Sequence, residues 1–225
     1  MTLIRSGSGR NAGICRYPVV LLAAAALASY GIAGSASAAT AAGAGRTAHC
    51  GPAHAPTLVG SRAVRIYLVR KTVYGCAGAS GKSYRLGKRG FCRLQSCVGQ
   101  IALAGQTAAY ELDTFGVDTS SSGVVVKNLA NGRVLMNRVA IWNVPGPESF
   151  ESVSSIVVKR DGALAWIAKV SSIGHPSALF EVHRDDGRAH DLLDSGPGIA
   201  PRSLRLHGST MTWTDAGQTR SATLS

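Results

Sequence analysis

Two histidines, His183 and His190, stand on either side of an Asp186-Gly187 dipeptide. Across a hairpin they would face one another, but a metal ion would need a third ligand from elsewhere. Without one they read as surface histidines, as do His175 and His207 in or near other turns. Carboxylate pairs for glycoside cleavage can be drawn from Glu111, Asp113, Glu148, Glu151, Glu181 and Asp191, with Glu111 and Glu181 beside expected core strands. Asp161, Asp185 and Asp186 fall at expected turns, where Asp supports the local backbone by hydrogen bonding. Gly-x-Ser-x-Gly, which holds a nucleophilic hydroxyl on a strained turn, does not occur, and DSGPG from Asp194 to Gly198 reads as a connection between strands. GASGK from Gly78 to Lys82 lacks the phosphate-loop spacing and the helix that should follow, so it reads as a hairpin turn. No catalytic residue, metal or cofactor is assigned.

Cysteine chemistry is more informative. Setting aside Cys15, the chain has Cys50, Cys76, Cys92 and Cys97, an even number that favours two disulfides in an oxidising space. Of the three pairings, Cys92 with Cys97 across a short loop and Cys50 with Cys76 are favoured. The second would tie an N-terminal arm to the first strand pair. The rival is a zinc site that adds His49 or His54, but structural zinc usually takes two close cysteine pairs and here only one pair is close.

Beyond residues 1–38, excess positive charge is confined to one region. Between Ala39 and Tyr110 there are ten basic residues and no acidic one, whereas from Glu111 onward 11 Lys and Arg face 12 Asp and Glu. Such a field attracts polyanions or anionic surfaces in a salt-dependent way. The candidate contacts are Arg62, Arg65, Arg70, Lys71, Lys82, Arg85, Lys88 and Arg89, and the partner classes are an anionic envelope polymer, a lipid headgroup layer or extracellular nucleic acid. The competing reading is an ordinary solubilising surface in a chain whose basic residues are mostly Arg. Specific nucleic-acid binding lacks support, because Tyr67, Tyr74, Tyr84 and Phe91 form no recognisable stacking motif.

The elements that must carry these residues follow from the rest of the 225-residue chain. Arg5, Arg10 and Arg16 precede an apolar run from Val19 to Ala33, and Ala36-Ser37-Ala38 supplies small residues, so residues 1–38 read as a signal peptide cleaved after Ala38. An uncleaved anchor is the alternative; Cys15 precedes the apolar run and is not placed for lipidation. No later stretch is long and apolar enough to span a membrane. A 45% apolar content excludes a disordered chain. Residues 39–58 form an Ala, Gly, Thr and Pro arm without periodicity. Residues 59–225 alternate short Val, Ile, Leu, Tyr and Trp runs with Gly, Asp, Asn and Ser turns, the pattern of antiparallel strands.

Three segments align on an aromatic residue: QIALAGQTAAYEL, IVVKRDGALAWIA and SLRLHGSTMTWT bring Tyr110, Trp166 and Trp213 into register, each with a glycine turn at Gly105, Gly162 or Gly208. Second hairpins turn at Gly81-Lys82, Asn131-Gly132-Arg133 and Asp186-Gly187-Arg188. Asn-Gly and Asp-Gly predict type I′ turns, whose two central residues both take positive φ. The expected units are 59–98, 99–145, 153–195 and 201–225, the middle two with four strands and the outer two with three. They resemble the blades of secreted bacterial β-propeller-like repeat proteins of the TolB-like and WD40-like groups. The resemblance implies an all-β fold, a small or incomplete propeller, with an open twisted sheet or β-sandwich as the alternative. It transfers no functional residue. The expectation is a secreted or envelope-associated binding or structural module, with a hydrolase assembled from separate repeats as the alternative.

Overall fold

In this computed structural model the described residues are 50–90, 96–117, 119–144, 148–174 and 177–225, all within one compact unit. The expected leader, most of the expected arm, Cys92 and His175 lie outside them. The described chain is all-β. Four antiparallel runs follow one another. The first is β1 (Thr57–Gly60), β2 (Val64–Val69), β3 (Thr72–Ala77) and β4 (Ser83–Lys88). The second is β5 (Ser96–Ala104), β6 (Thr107–Phe115), β7 (Ser120–Asn128) and β8 (Val134–Val139). The third is β9 (Ser149–Val158), β10 (Leu164–Ser172), β11 (Leu179–Asp185) and β12 (His190–Gly196). The last is β13 (Arg205–His207), β14 (Thr210–Asp215) and β15 (Gln218–Thr223).

The first three runs join into one twelve-stranded mixed sheet, and β13–β15 form a separate small sheet. The joins are slender. Only Lys88 and Cys97 pair between β4 and β5, and only Ser120 and Phe150 between β7 and β9, both in parallel sense. No ladder among the described residues joins β15 back to β1, and none closes a barrel. The first run has four strands, because Thr57–Gly60, which straddles the expected end of the arm, pairs with β2.

Side-chain alternation gives each inner strand two apolar faces, and those faces stack the runs on one another. Val64, Ile66, Val73 and Leu86 of the first run meet Val98, Ala108, Tyr110 and Val125 of the second. The opposite face of the second, through Ala109, Val124, Val126 and Met136, meets Leu164, Trp166, Ala168 and Val170 of the third. The other face of β10, through Ala165 and Ile167, meets Met211 and Trp213 of the last. Tyr110, Trp166 and Trp213 therefore stand on the second strand of successive runs and face the run before. The indole nitrogens reach backward too: Trp166 Nε1 donates to Ala140 O at 2.8 Å, and Trp213 Nε1 to Asp194 Oδ2 at 2.7 Å.

The two ends of the stack are finished differently. The outer face of β2 and β3, with Tyr67, Val69, Tyr74 and Cys76, is covered by Cys50 and Ala55, and a Cys50–Cys76 disulfide holds that cover in place. Closing a loop of sequence separation 26 contributes about 3.5 kcal/mol on the chain-entropy account. At the far end, β14 turns Thr210, Thr212 and Thr214 away from the core, opposite Thr223, Ser221 and Thr219 of β15, and all are at least partly exposed.

The turns correct one expectation. Neither Asn131 nor Asp186 takes positive φ, so neither turn is type I′. Their side chains bend the backbone instead: Asn131 Oδ1 accepts from Arg133 N at 2.9 Å, and Asp186 Oδ1 from Arg188 N and Ala189 N at 2.8 and 2.9 Å. Paired positive φ occurs at Ala216 (46°) and Gly217 (79°), between β14 and β15.

Candidate functional site

The eight basic candidates do not form one surface. Arg65 is buried, and the structure removes it from the set. Its Nη1 donates to Cys50 O and Pro52 O at 3.1 Å each, its Nη2 to Ala55 O, and its Nε to Thr57 Oγ1 at 2.8 Å. The guanidinium also lies 5.2 Å from the centre of the Tyr67 ring. Strand alternation puts Arg65 on the same face as Tyr67, where it fastens the covering segment; it is a clamp. Arg62 and Lys82 stand at the loop end where Gly78 N meets Ala63 O. Arg70, Lys71, Lys88 and Arg89 gather at the opposite end, since Thr72 pairs with Lys88 and Arg89 N donates to Lys71 O at 2.9 Å. Arg70 holds a φ of 54° in the two-residue turn between β2 and β3, a conformation that costs a non-glycine residue about 1 kcal/mol.

Beside the single Lys88–Cys97 pairing of β4 with β5, a cleft of about 610 Å³ opens between the first and second runs, lined by Arg85, Lys88, Ser96 and Leu112. Among the described residues, none of the surface cations of the first run forms an ion pair with a carboxylate; the ion pairs present involve Arg138, Lys159, His183, Arg184 and Arg220.

Carboxylates converge at a second place. Glu111 and Asp113 share a face of β6, and the Ser122 hydroxyl opposite contacts Glu111 Oε1 at 3.2 Å and Asp113 Oδ1 at 2.8 Å. The Ser122 amide donates to Glu151 Oε2 at 3.0 Å. Glu111 is buried where β5 bulges: Gln100 N donates to its Oε2 at 2.9 Å and Val153 N to its Oε1. Gly99 leaves room for that carboxylate, since a Cβ there would lie 1.9 Å from Glu111 Oε2. Burial, then the nearby Glu111 charge, push the Asp113 carboxyl up to about 7 against the pull of its Ser122 hydrogen bond. A groove of about 510 Å³ lies alongside, bordered by Leu112, Ser122, Arg138, Ile141, Val144 and Glu151.

The third cluster overturns the reading of His183 as a surface residue. Glu181, His183 and Asp185 alternate along one face of β11, and all three are fully buried. His183 Nε2 meets Glu181 Oε2 at 2.8 Å, and His183 Nδ1 meets His190 Nε2 at 3.2 Å, so the two histidines do face each other across the hairpin. His183 stacks on Trp166, with ring centres 4.9 Å apart and planes within 10°. Glu181 also accepts Trp142 N at 3.0 Å, Asn143 N at 3.1 Å and Asn143 Nδ2 at 2.6 Å. Burial opposes that charge, but the hydrogen bonds of His183, Trp142 and Asn143 outweigh it and hold the Glu181 carboxyl at about 2. Asp185 accepts Arg138 Nε at 2.6 Å and Gly187 N at 2.7 Å, which joins a half-buried salt bridge to a turn.

Among the described residues no set of three or more His, Cys, Asp or Glu is placed to hold a metal ion. His207 is exposed, and Asp194 of the DSGPG stretch binds Trp213. Cys97 is disulfide-bonded, and its expected partner Cys92 lies outside the described residues. The Cys50–Cys76 bond points to an oxidising, extracytoplasmic setting. Sequence reasoning did not single out Ser122, Arg138, Trp142 or Asn143. The signal that was available is Glu181-x-His183-x-Asp185 inside a strand, whose period places three polar residues on one face. The chain matches no protein-family model, and no curated protein matches its sequence.

Proposed function

We propose that this protein is an exported, non-catalytic binding module of the cell envelope or extracellular space, built from repeated propeller-like units, which holds an anionic polymer against its first unit. The reading rests on one observation: Arg85 and Lys88 line the β4–β5 cleft, and Lys88 connects it to Arg70, Lys71 and Arg89, all without carboxylate partners among the described residues. Cations without carboxylate partners among the described residues, beside a strand edge that pairs with β5 through Lys88 and Cys97, keep their charge for a polyanion, and such contacts weaken as salt rises. The backward-facing Tyr110, Trp166 and Trp213 support the repeat, and the disulfide supports export. The test is retention on immobilised dextran sulfate and on polyphosphate across graded salt. Wild type should be retained at low salt and released as salt rises, Arg85→Glu with Lys88→Glu should lose retention, and Arg62→Glu with Lys82→Glu should keep most of it. No retention at low salt, or equal loss in both pairs, refutes the assignment.

A second reading, hydrolysis of a glycoside, is favoured by the carboxylates joined at Ser122. Asp113, protonated up to about 7, would serve as the acid, and Glu151 as the second carboxyl group beside the groove. Turnover of chromogenic glycosides that disappears in Asp113→Asn would establish it, and absence of turnover across a panel of such substrates would remove it.

A further inference from the structure

The Glu181–His183–His190 chain ends against the 140–144 segment, which is also the wall of the 510 Å³ groove through Ile141 and Val144. Glu181 holds that segment by Trp142 N, Asn143 N and Asn143 Nδ2, and the Trp142 ring covers both histidines, with centres 4.3 Å from His190 and 5.5 Å from His183. The facing atoms His183 Nδ1 and His190 Nε2, 3.2 Å apart, make a hydrogen bond only while they hold one proton between them. Two protons set N–H against N–H in a buried site. His183 and Asp185 face His190 from β11, with Glu181 on the far side of His183, Arg138 from β8, Trp166 from β10 and Trp142 from the segment itself, with Asp191 its neighbour on β12. Asp191 is engaged by Arg184 at 2.8 Å and Asp185 by Arg138 at 2.6 Å, so both carboxylates are already committed to other cations.

We propose that the Glu181–His183–His190 chain is a proton-operated latch: a second proton on the facing atoms His183 Nδ1 and His190 Nε2 breaks their contact, turns the imidazoles away from the Trp142 ring that rests on them, loosens the 140–144 segment and opens the groove. Linkage fixes the direction. Burial, then the charges of His183 and Arg138, hold the His190 imidazole below its ordinary range in the closed form, against the opposing pull of Asp185 and Asp191. The closed form therefore binds fewer protons than an open one in which His190 is solvated, and acid favours opening.

Hydrogen exchange followed by mass spectrometry on the whole protein tests this at about pH 7.5 and about pH 5, with labelling times scaled to equal intrinsic exchange. In wild type, amides of 140–144 should exchange severalfold faster at the lower pH after scaling. Peptides of β13–β15 should not change, and His190→Phe should exchange equally at both pH values. Unchanged scaled rates in wild type, acceleration throughout the molecule, or the same acceleration in His190→Phe would each overturn the latch. Should His190→Phe fail to fold, wild type is compared with Trp142→Phe by tryptophan emission over the same range. A pH-dependent component that vanishes in Trp142→Phe sustains the proposal, and identical profiles end it.

Discussion

The first and third strand groups carry their charges in opposite ways. Around β1–β4, Arg62, Arg70, Lys71, Lys82, Arg85 and Arg89 are exposed without carboxylate partners among the described residues. In β9–β12, Glu181, His183 and Asp185 are buried, Asp185 is paired with Arg138, and Asp191 is paired with Arg184. Glu181 and Asp185 are part of the framework, because removing either leaves its partners unsatisfied. In the first group the framework is made by other means, a disulfide and the Arg65 clamp, and the surface cations remain available to something outside. Net charge reports on function only where it is uncompensated.

The comparison can be broken at both ends. Glu181→Ala should have the largest effect, about 3 to 5 kcal/mol by denaturant unfolding, because it leaves His183 and the Trp142 and Asn143 donors without an acceptor. The same residue has a pH signature. With its carboxyl lowered to about 2, Glu181 adds stability that is complete above its ordinary value of 4.5 and fades as pH falls toward 2. Next comes the staple of the first group: Cys50→Ser with Cys76→Ser should cost about 3 kcal/mol, while spectroscopic probes of β9–β12 should change little under conditions where the variant remains folded.

Asp113→Asn sharpens the contrast at the second group. The Asp113 carboxyl keeps its proton in the folded chain up to about 7 but has an ordinary value of 3.8, so the native form holds more protons between those limits. Wild-type stability contributed by this residue therefore falls as pH rises through that window, and the slope should be absent in Asp113→Asn thermal melts. Arg70→Gly should stabilise by about 1 kcal/mol by relieving its positive φ, yet weaken polyanion retention. Arg85→Glu with Lys88→Glu should shift stability least, by about 0.5 kcal/mol or less, while having the larger effect on retention.

The strands were legible because period-two alternation and glycine turns are local signals: β6, β10 and β14 each follow from an aromatic run after a glycine. Turn geometry was less so. Asn131-Gly132 and Asp186-Gly187 carry the composition of type I′ turns, but their Asn and Asp oxygens have backbone amides within reach, and those bonds set the path. β1 was missed as a whole strand because Thr57-Leu58-Val59-Gly60 is too short to show a period, and pairing with β2 defines it. His183 read as exposed because nothing local reveals burial; Trp166, Glu181 and the 140–144 segment close over it from three separate stretches of chain. The spacing of the basic residues likewise says nothing of Arg65's inward turn, which depends on where residues 50–55 fold back.

The hydroxyl face of β13–β15 and the stapled face of β2–β3 bear on how copies of this molecule would meet. A face of threonine and serine hydroxyls has little apolar area to bury, and the β2–β3 face already packs its tyrosines and Val69 against Cys50 and Ala55. Stacking of one copy on another through either of these two faces would gain little from the hydrophobic effect.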